Sequence, residues 1–104
     1  MDEEMAAKKR KRDREELEVL RKEISKTDDE MSGLFDHRMM LAKRIGELKQ
    51  RLGLPVCDPD REKEILEKGT EEADPELRPY YREFLEKCIE LSKAFQESFR
   101  KEET

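Results

Sequence analysis

Stepping by alternating fours and threes from Leu17, the chain reads Leu17, Arg21, Ile24, Asp28, Met31, Phe35, Arg38, Ala42, Ile45, Lys49 and Leu52. An unbroken seven-residue repeat of this kind is the seam along which long helices pack, and it commits the chain to a helical fold. Four members of the repeat are charged. A helix that packs through one face carries its charges on the opposite face, so Arg21, Arg38 and Lys49 are anomalies. Taking a cation out of water is costly unless something anionic meets it, and Asp28 is the one acid in the seam. The surplus of positive charge at packing positions points to a pocket for a small anion.

A length of 104 residues allows one domain. Charged residues make up 49% and hydrophobic ones 34%, a lean supply of apolar surface for a small chain that must stand alone. Disorder has the same composition but lacks such periodicity. A helical assembly that completes its core by oligomerising fits both facts. The formal net charge of −5 argues against a nucleic-acid partner. One local exception is Lys8-Lys9-Arg10-Lys11-Arg12 with Arg14, flanked by Asp2, Glu3, Glu4, Glu15 and Glu16 and without an interleaved aromatic. A nucleic-acid patch or targeting signal is the functional reading, but the run reads better as a solvated tail or helix extension over residues 1–13, ahead of a helical domain over 14–100 and a short tail over 101–104. No apolar run approaches the ~18 residues of a membrane helix, and no signal-peptide core follows the N-terminus. The expectation is a cytoplasmic protein with no membrane partner. Cys57 and Cys88 are then free thiols. With no Cys-x-x-Cys and a single histidine, His37, beside Arg38 but off the seam, no metal site is expected.

The fold class expected is all-α, with one long, one short and one medium helix. The first spans about Asp13 to Leu52, and Gly53 followed by Pro55 marks its stop. A second stripe, Leu20, Leu34, Leu41 and Leu48, widens its apolar face, and Gly33 and Gly46 are explained by close helix packing. Asp58-Pro59-Asp60-Arg61-Glu62 announces the second helix, with Asp58 as N-cap and Pro59 at the first helical position. That helix should end near Gly69. Asp74-Pro75 repeats the signature for the third, although Pro79 defers the regular helix until about that position. From Tyr81 the seam resumes through Leu85, Cys88, Ser92, Phe95 and Phe99. Ser92 and Gln96 lie four residues apart and share one face.

Arg38 and Lys49 are separated by about three helical turns plus ~20°, so they point the same way from alpha carbons about 16 Å apart. Side chains lean toward the helix N-terminus, which brings Lys49 toward Arg38 with room for a small ligand between. Arg21 lies about 25 Å before Arg38 along the helix axis and cannot reach the same site. If two long helices pair in opposite directions, Arg21 of one chain reaches the pocket of the other. The start of the second helix adds unpaired backbone N–H groups, with Arg61 and Glu62 as donor and acceptor beside them.

These residues together carry a family resemblance. Leu-Arg-Lys-Glu-Ile over 20–24, Asp28, Arg38-Met-Met-Leu-Ala over 38–42, Lys49, Pro55-Val56-Cys57-Asp58-Pro59-Asp60-Arg61-Glu62 and Ser92-x-x-x-Gln96 resemble, in order and spacing, the all-α (AroQ-class) chorismate mutases. The likeness covers roughly residues 16 to 97. It implies an intertwined homodimer of three-helix chains with two equivalent sites, each completed by an arginine from the partner. It implies rearrangement of chorismate to prephenate, on the way to phenylalanine and tyrosine, without a cofactor. Carried over residue by residue, Arg38 and the partner chain's copy of Arg21 hold the enolpyruvyl carboxylate. Lys49 also touches that carboxylate and, with Gln96, donates to the ether oxygen. Glu62 and a backbone N–H near Arg61 grip the ring hydroxyl, with Asp58 close by, and Ser92, with Arg61, meets the ring carboxylate.

The implied chemistry needs no proton transfer and no nucleophile, so Ser92 requires no base. The protein has to fold a flexible dianion into its reactive shape and stabilise charge on the ether oxygen. A millionfold acceleration corresponds to about 8 kcal/mol, a load those two effects can share. Two other functions remain compatible with the residues: elimination of pyruvate from isochorismate on the same fold, and a non-enzymatic helical dimerisation module. The second leaves the three seam cations unexplained. Feedback regulation, and whether the chain is a segment of a larger enzyme, are not legible in the sequence.

Overall fold

The computed structural model describes residues 2–101. Its order is α1 (Glu3–Arg51), α2 (Pro59–Glu72), a single 3-10 turn (Pro75–Leu77) and α3 (Arg78–Phe99). The described residues contain no strand, and no helix among them is long and apolar enough to cross a membrane. The chain divides into two units, Met1–Asp36 and His37–Thr104, and α1 contributes to both.

The first unit is the N-terminal part of α1. The helix begins about ten residues earlier than its periodicity suggested, because capping rather than packing starts it. Asp2 accepts from the backbone N–H of Met5 at 2.9 Å, Glu3 and Glu4 occupy the positive first turn, and Lys8 pairs with Glu4 one turn on at 3.7 Å. The basic run is therefore helical. The seam residues of this unit are open: Leu17, Ile24, Met31 and Phe35 are between 43% and 63% exposed, and Leu34 reaches 69%. Gly33 has nothing within 4 Å of where a side chain would begin, so close packing within this chain does not account for it.

The second unit joins the end of α1 to α2 and α3. Gly53 adopts φ +71. Its N–H reaches the Gln50 carbonyl at 3.1 Å and that of Leu54 reaches Lys49 at 2.8 Å, a Schellman stop that favours glycine. Asp58 caps α2 by accepting from the Arg61 backbone at 3.2 Å, with Pro59 opening the helix. That helix does not stop at Gly69 but runs on to Glu72. Gly69 is an interior packing position, where an added Cβ would strike Leu85 of α3. Asp74 caps the 3-10 turn, and α3 starts at Arg78 with Pro79 in its first turn. Among the described residues Ala42, Val56, Leu85 and Ile89 are the buried apolar ones, and the buried polar one is Gln96.

The inward line of α3 runs Leu85, Ile89, Gln96, with Ser92 and Lys93 half-buried between them. It is rotated from the heptad seam expected through Cys88 and Phe95. Repeated steps of four advance the face by about 40° each, and the packing follows that advance from Leu85 to Ile89 to Lys93.

Candidate active site

Within the second unit, α1, the 52–58 loop, α2 and α3 surround a cavity of about 450 Å³, a size suited to a small organic ligand. The end of α1 supplies Arg38 and Lys49 to its lining. The loop supplies Val56, the start of α2 Asp58, Arg61 and Glu62, and α3 Ser92, Lys93 and Gln96. Apolar surface from Leu41, Ala42, Ile45, Ile65 and Ile89 fills the intervals.

Each polar side chain is held by a specific neighbour. Arg38 donates to the Ser92 hydroxyl and, at 3.5 Å, to the Cys88 carbonyl. The Ser92 hydroxyl in turn donates back to Cys88 at 2.8 Å. Lys49 Nζ reaches the Val56 carbonyl at 2.8 Å and Gln96 Oε1 at 3.4 Å. Gln96 Nε2 donates to the Ala42 carbonyl at 2.8 Å, across the space that Gly46 leaves open. A Cβ on Gly46 would lie 2.8 Å from Gln96 Cγ. Glycine is required there so that the buried amide can lie flat on α1.

Four cations, Arg38, Lys49, Arg61 and Lys93, line the cavity against two carboxylates, Asp58 and Glu62. Lys93 pairs with Glu62 at 2.6 Å, and Arg61 turns to Glu64 at 3.1 Å. Among the described residues Arg38 and Lys49 rest only on neutral acceptors. A half-buried cation without a carboxylate partner is an uncompensated cost, and two of them facing one cavity make a site for a doubly anionic ligand. The Lys93 ammonium holds the Glu62 carboxyl below its ordinary value, against the burial that raises it, and the Cys57 thiol, donating at 3.4 Å, lowers it further. Glu62 in turn raises Lys93.

Residues 20–97 match the chorismate mutase type II family. The chain belongs to that family. It is 42% identical to the bifunctional chorismate mutase/prephenate dehydratase of Aquifex aeolicus, an alignment covering 76% of this chain and 24% of that protein. It is 41% identical to the chorismate mutase of Methanocaldococcus jannaschii, over 52% of this chain and 54% of that one. The chain thus spans from about a quarter to about half the length of these curated relatives. Among solved structures, a conserved hypothetical protein from Pyrococcus furiosus superposes with a TM-score of 0.66 at 39% identity, covering 77% of this chain and 93% of that one.

In this type II chain the residues singled out by sequence divide into two groups. Arg38, Lys49, Asp58, Arg61, Glu62, Ser92 and Gln96 all line one cavity. Arg21 and Asp28 belong to the other unit. Arg21 is exposed and pairs with Glu18 at 2.7 Å. Asp28 has no ion pair among the described residues. Its neighbours three and four residues away, Ile24, Ser25, Met31 and Ser32, include no cation. Three site residues escaped the sequence reading: Lys93, the Cys57 thiol and the Val56 carbonyl. The signal for Lys93 was the four-residue step from Ile89. A backbone carbonyl carries no sequence signal at all.

Proposed function

We propose that this chain catalyses the rearrangement of chorismate to prephenate in the route to phenylalanine and tyrosine. The observation that carries the reading is the pair Arg38 and Lys49, two cavity cations that, among the described residues, face neutral acceptors only. Chorismate is a dianion and matches them in charge.

On this reading Arg38 grips the enolpyruvyl carboxylate and Ser92 meets the ring carboxylate, with Arg61 at the rim. Glu62 accepts from the ring hydroxyl, and Asp58 supports the helix start whose backbone N–H groups face it. Anchoring both ends of a flexible substrate brings the bond-forming carbons together, and this orientation is one source of rate. The second is electrostatic. As the ether C–O bond breaks, negative charge grows on the oxygen, and the Lys49 ammonium with the second N–H of the Gln96 amide stabilises it. Because both donors are already fixed by neighbouring groups, little reorganisation accompanies the reaction. No proton is transferred and no covalent intermediate forms.

The same reading assigns the open seam of the N-terminal unit to a second copy of the chain. Among the described residues only four apolar ones are buried within one chain, and pairing of two long helices would cover Leu17, Ile24, Met31, Leu34 and Phe35. Arg21 would then be donated across the interface to complete the partner's carboxylate clamp. The test is direct. The purified chain, mixed with chorismate, should consume its ultraviolet absorbance and form prephenate as the identified product. An inert protein, or release of pyruvate, would overturn the assignment.

A further inference from the structure

Glu62 is held from two sides by residues for which the proposed reaction has no direct use. Lys93 on α3 approaches Oε1 at 2.6 Å, and Cys57 in the loop before α2 donates to Oε2 at 3.4 Å. An ionised carboxylate oxygen accepts in more than one direction, so each oxygen retains capacity for a further donor. The other charged groups around Glu62 are Arg38 and Lys49 of α1, in the same cavity, Asp58 and Arg61 on its own turn, and, on its outer side, Lys63 and Glu67 of α2, which pair with each other at 3.8 Å. Arg82 of α3 borders its outer side and is engaged by Glu86 at 3.1 Å. Of these cations, Lys49 and Arg38 share the cavity without a carboxylate partner among the described residues, and Lys49 is the one assigned to the breaking bond.

We infer that Lys93 is a positioning residue, which commits the Glu62 carboxylate to the hydroxyl end of the cavity and keeps it away from Lys49. This deepens the chorismate reading and rests on it. If Glu62 were to swing to Lys49, it would occupy the cation that faces the breaking bond and leave the substrate hydroxyl without its acceptor. Lys93 prevents both losses by offering Glu62 a nearer partner from another helix. Cys57 supports it by fixing the second oxygen, so the carboxylate cannot rotate about its own axis. The side chain of Lys93 is 38% exposed, so it positions Glu62 without burying a charge.

The experiment is a double-mutant cycle in the full chain. Lys93→Met should lower kcat/KM about tenfold, the scale of one charge-assisted hydrogen bond, and Lys93→Arg should restore most of it. In a Glu62→Gln background, Lys93→Met should have almost no further effect, because the lysine acts through the carboxylate. The acid limb of kcat/KM should also move to higher pH in Lys93→Met, while the substrate's own carboxylates titrate alike in both proteins. Carbon-13 titration of the Glu62 carboxylate supplies a readout independent of turnover, with an upward shift expected in Lys93→Met. Equal activity of Lys93→Met and wild type, additive losses in the double variant, or an unmoved Glu62 titration would each overturn the inference while leaving the chorismate reading intact. A wild-type chain inert toward chorismate would overturn that reading instead, and the Glu62 titration would still decide what Lys93 does. Should Lys93→Met fail to fold, Lys93→Gln replaces it in every arm.

Discussion

Lys49 of α1 donates to Oε1 of Gln96 on α3 at 3.4 Å, and this fixes the orientation of the buried Gln96 amide. With its oxygen turned to the ammonium and one N–H on the Ala42 carbonyl, the amide has one donor left, and Gln96 lines the same cavity as Lys49. On the proposed mechanism the two groups act at the same ether oxygen. Lys49→Ala should therefore lower kcat by about a hundredfold or more, with the circular dichroism spectrum retained. Turnover near the wild-type rate would refute the role.

Gly46→Ala should impair both stability and turnover. The helix gains up to about 1 kcal/mol in propensity, but the new methyl would press on Gln96 Cγ at 2.8 Å and Cβ at 3.1 Å. Overpacking of this kind costs about 1–3 kcal/mol, so the net change should be a lower midpoint in denaturant unfolding and a displaced Gln96. An increase in stability at full activity would contradict the close approach described.

If Arg21 completes the partner's site, two inactive proteins should rescue one another. Arg21→Ala and Lys49→Ala chains, mixed, unfolded and refolded, should recover about a quarter of wild-type activity, since random pairing makes half of the dimers mixed and each mixed dimer holds one intact site. Absence of any recovery would show that the site is not shared.

The open seam makes a concentration-dependent stability the expected behaviour. Sedimentation should give a dimer, the unfolding midpoint should fall on dilution, and Leu34→Asp should weaken both association and activity. A folded, active monomer at every concentration would exclude the pairing.

The Glu62–Lys93 pair should stabilise the chain over a broad and predictable pH range. Glu62 lies below its reference of 4.5 in the folded chain, so its contribution is complete above that value and is lost as pH falls through the lowered one. Lys93 lies above its reference of 10.5, so its contribution is complete below that value and is lost as pH rises through the raised one. The difference in Tm between wild type and Lys93→Met should be flat between these limits and shrink outside them. A difference that vanishes near neutrality would contradict the pair.

Helix order, the two Asp-Pro starts and the stop at Gly53 are readable in the chain because each depends on chemistry within a few residues. The true start of α1 is also local, but its signal is a cap at Asp2 far from the apolar repeat, and periodicity alone points elsewhere. Gly69 shows the opposite case: a glycine near a plausible helix end reads as a terminator until Leu85, sixteen residues away, is seen to press against it. The seam on α3 was legible as an apolar face, but its rotation was not, and with it went Ile89 and Lys93.

By itself the sequence determined the fold class, the two Asp-Pro caps and every polar residue lining the cavity except Lys93, because periodicity and local hydrogen bonding depend on spacing along one chain. Only tertiary structure decided which partners those residues take. Arg38 meets a serine rather than a carboxylate, Lys49 orients an amide through a loop carbonyl, and Glu62 answers to a lysine on another helix. Such pairings depend on how two helix faces are rotated against each other, a quantity set by the packing of Gly46 and Gly69 against α3.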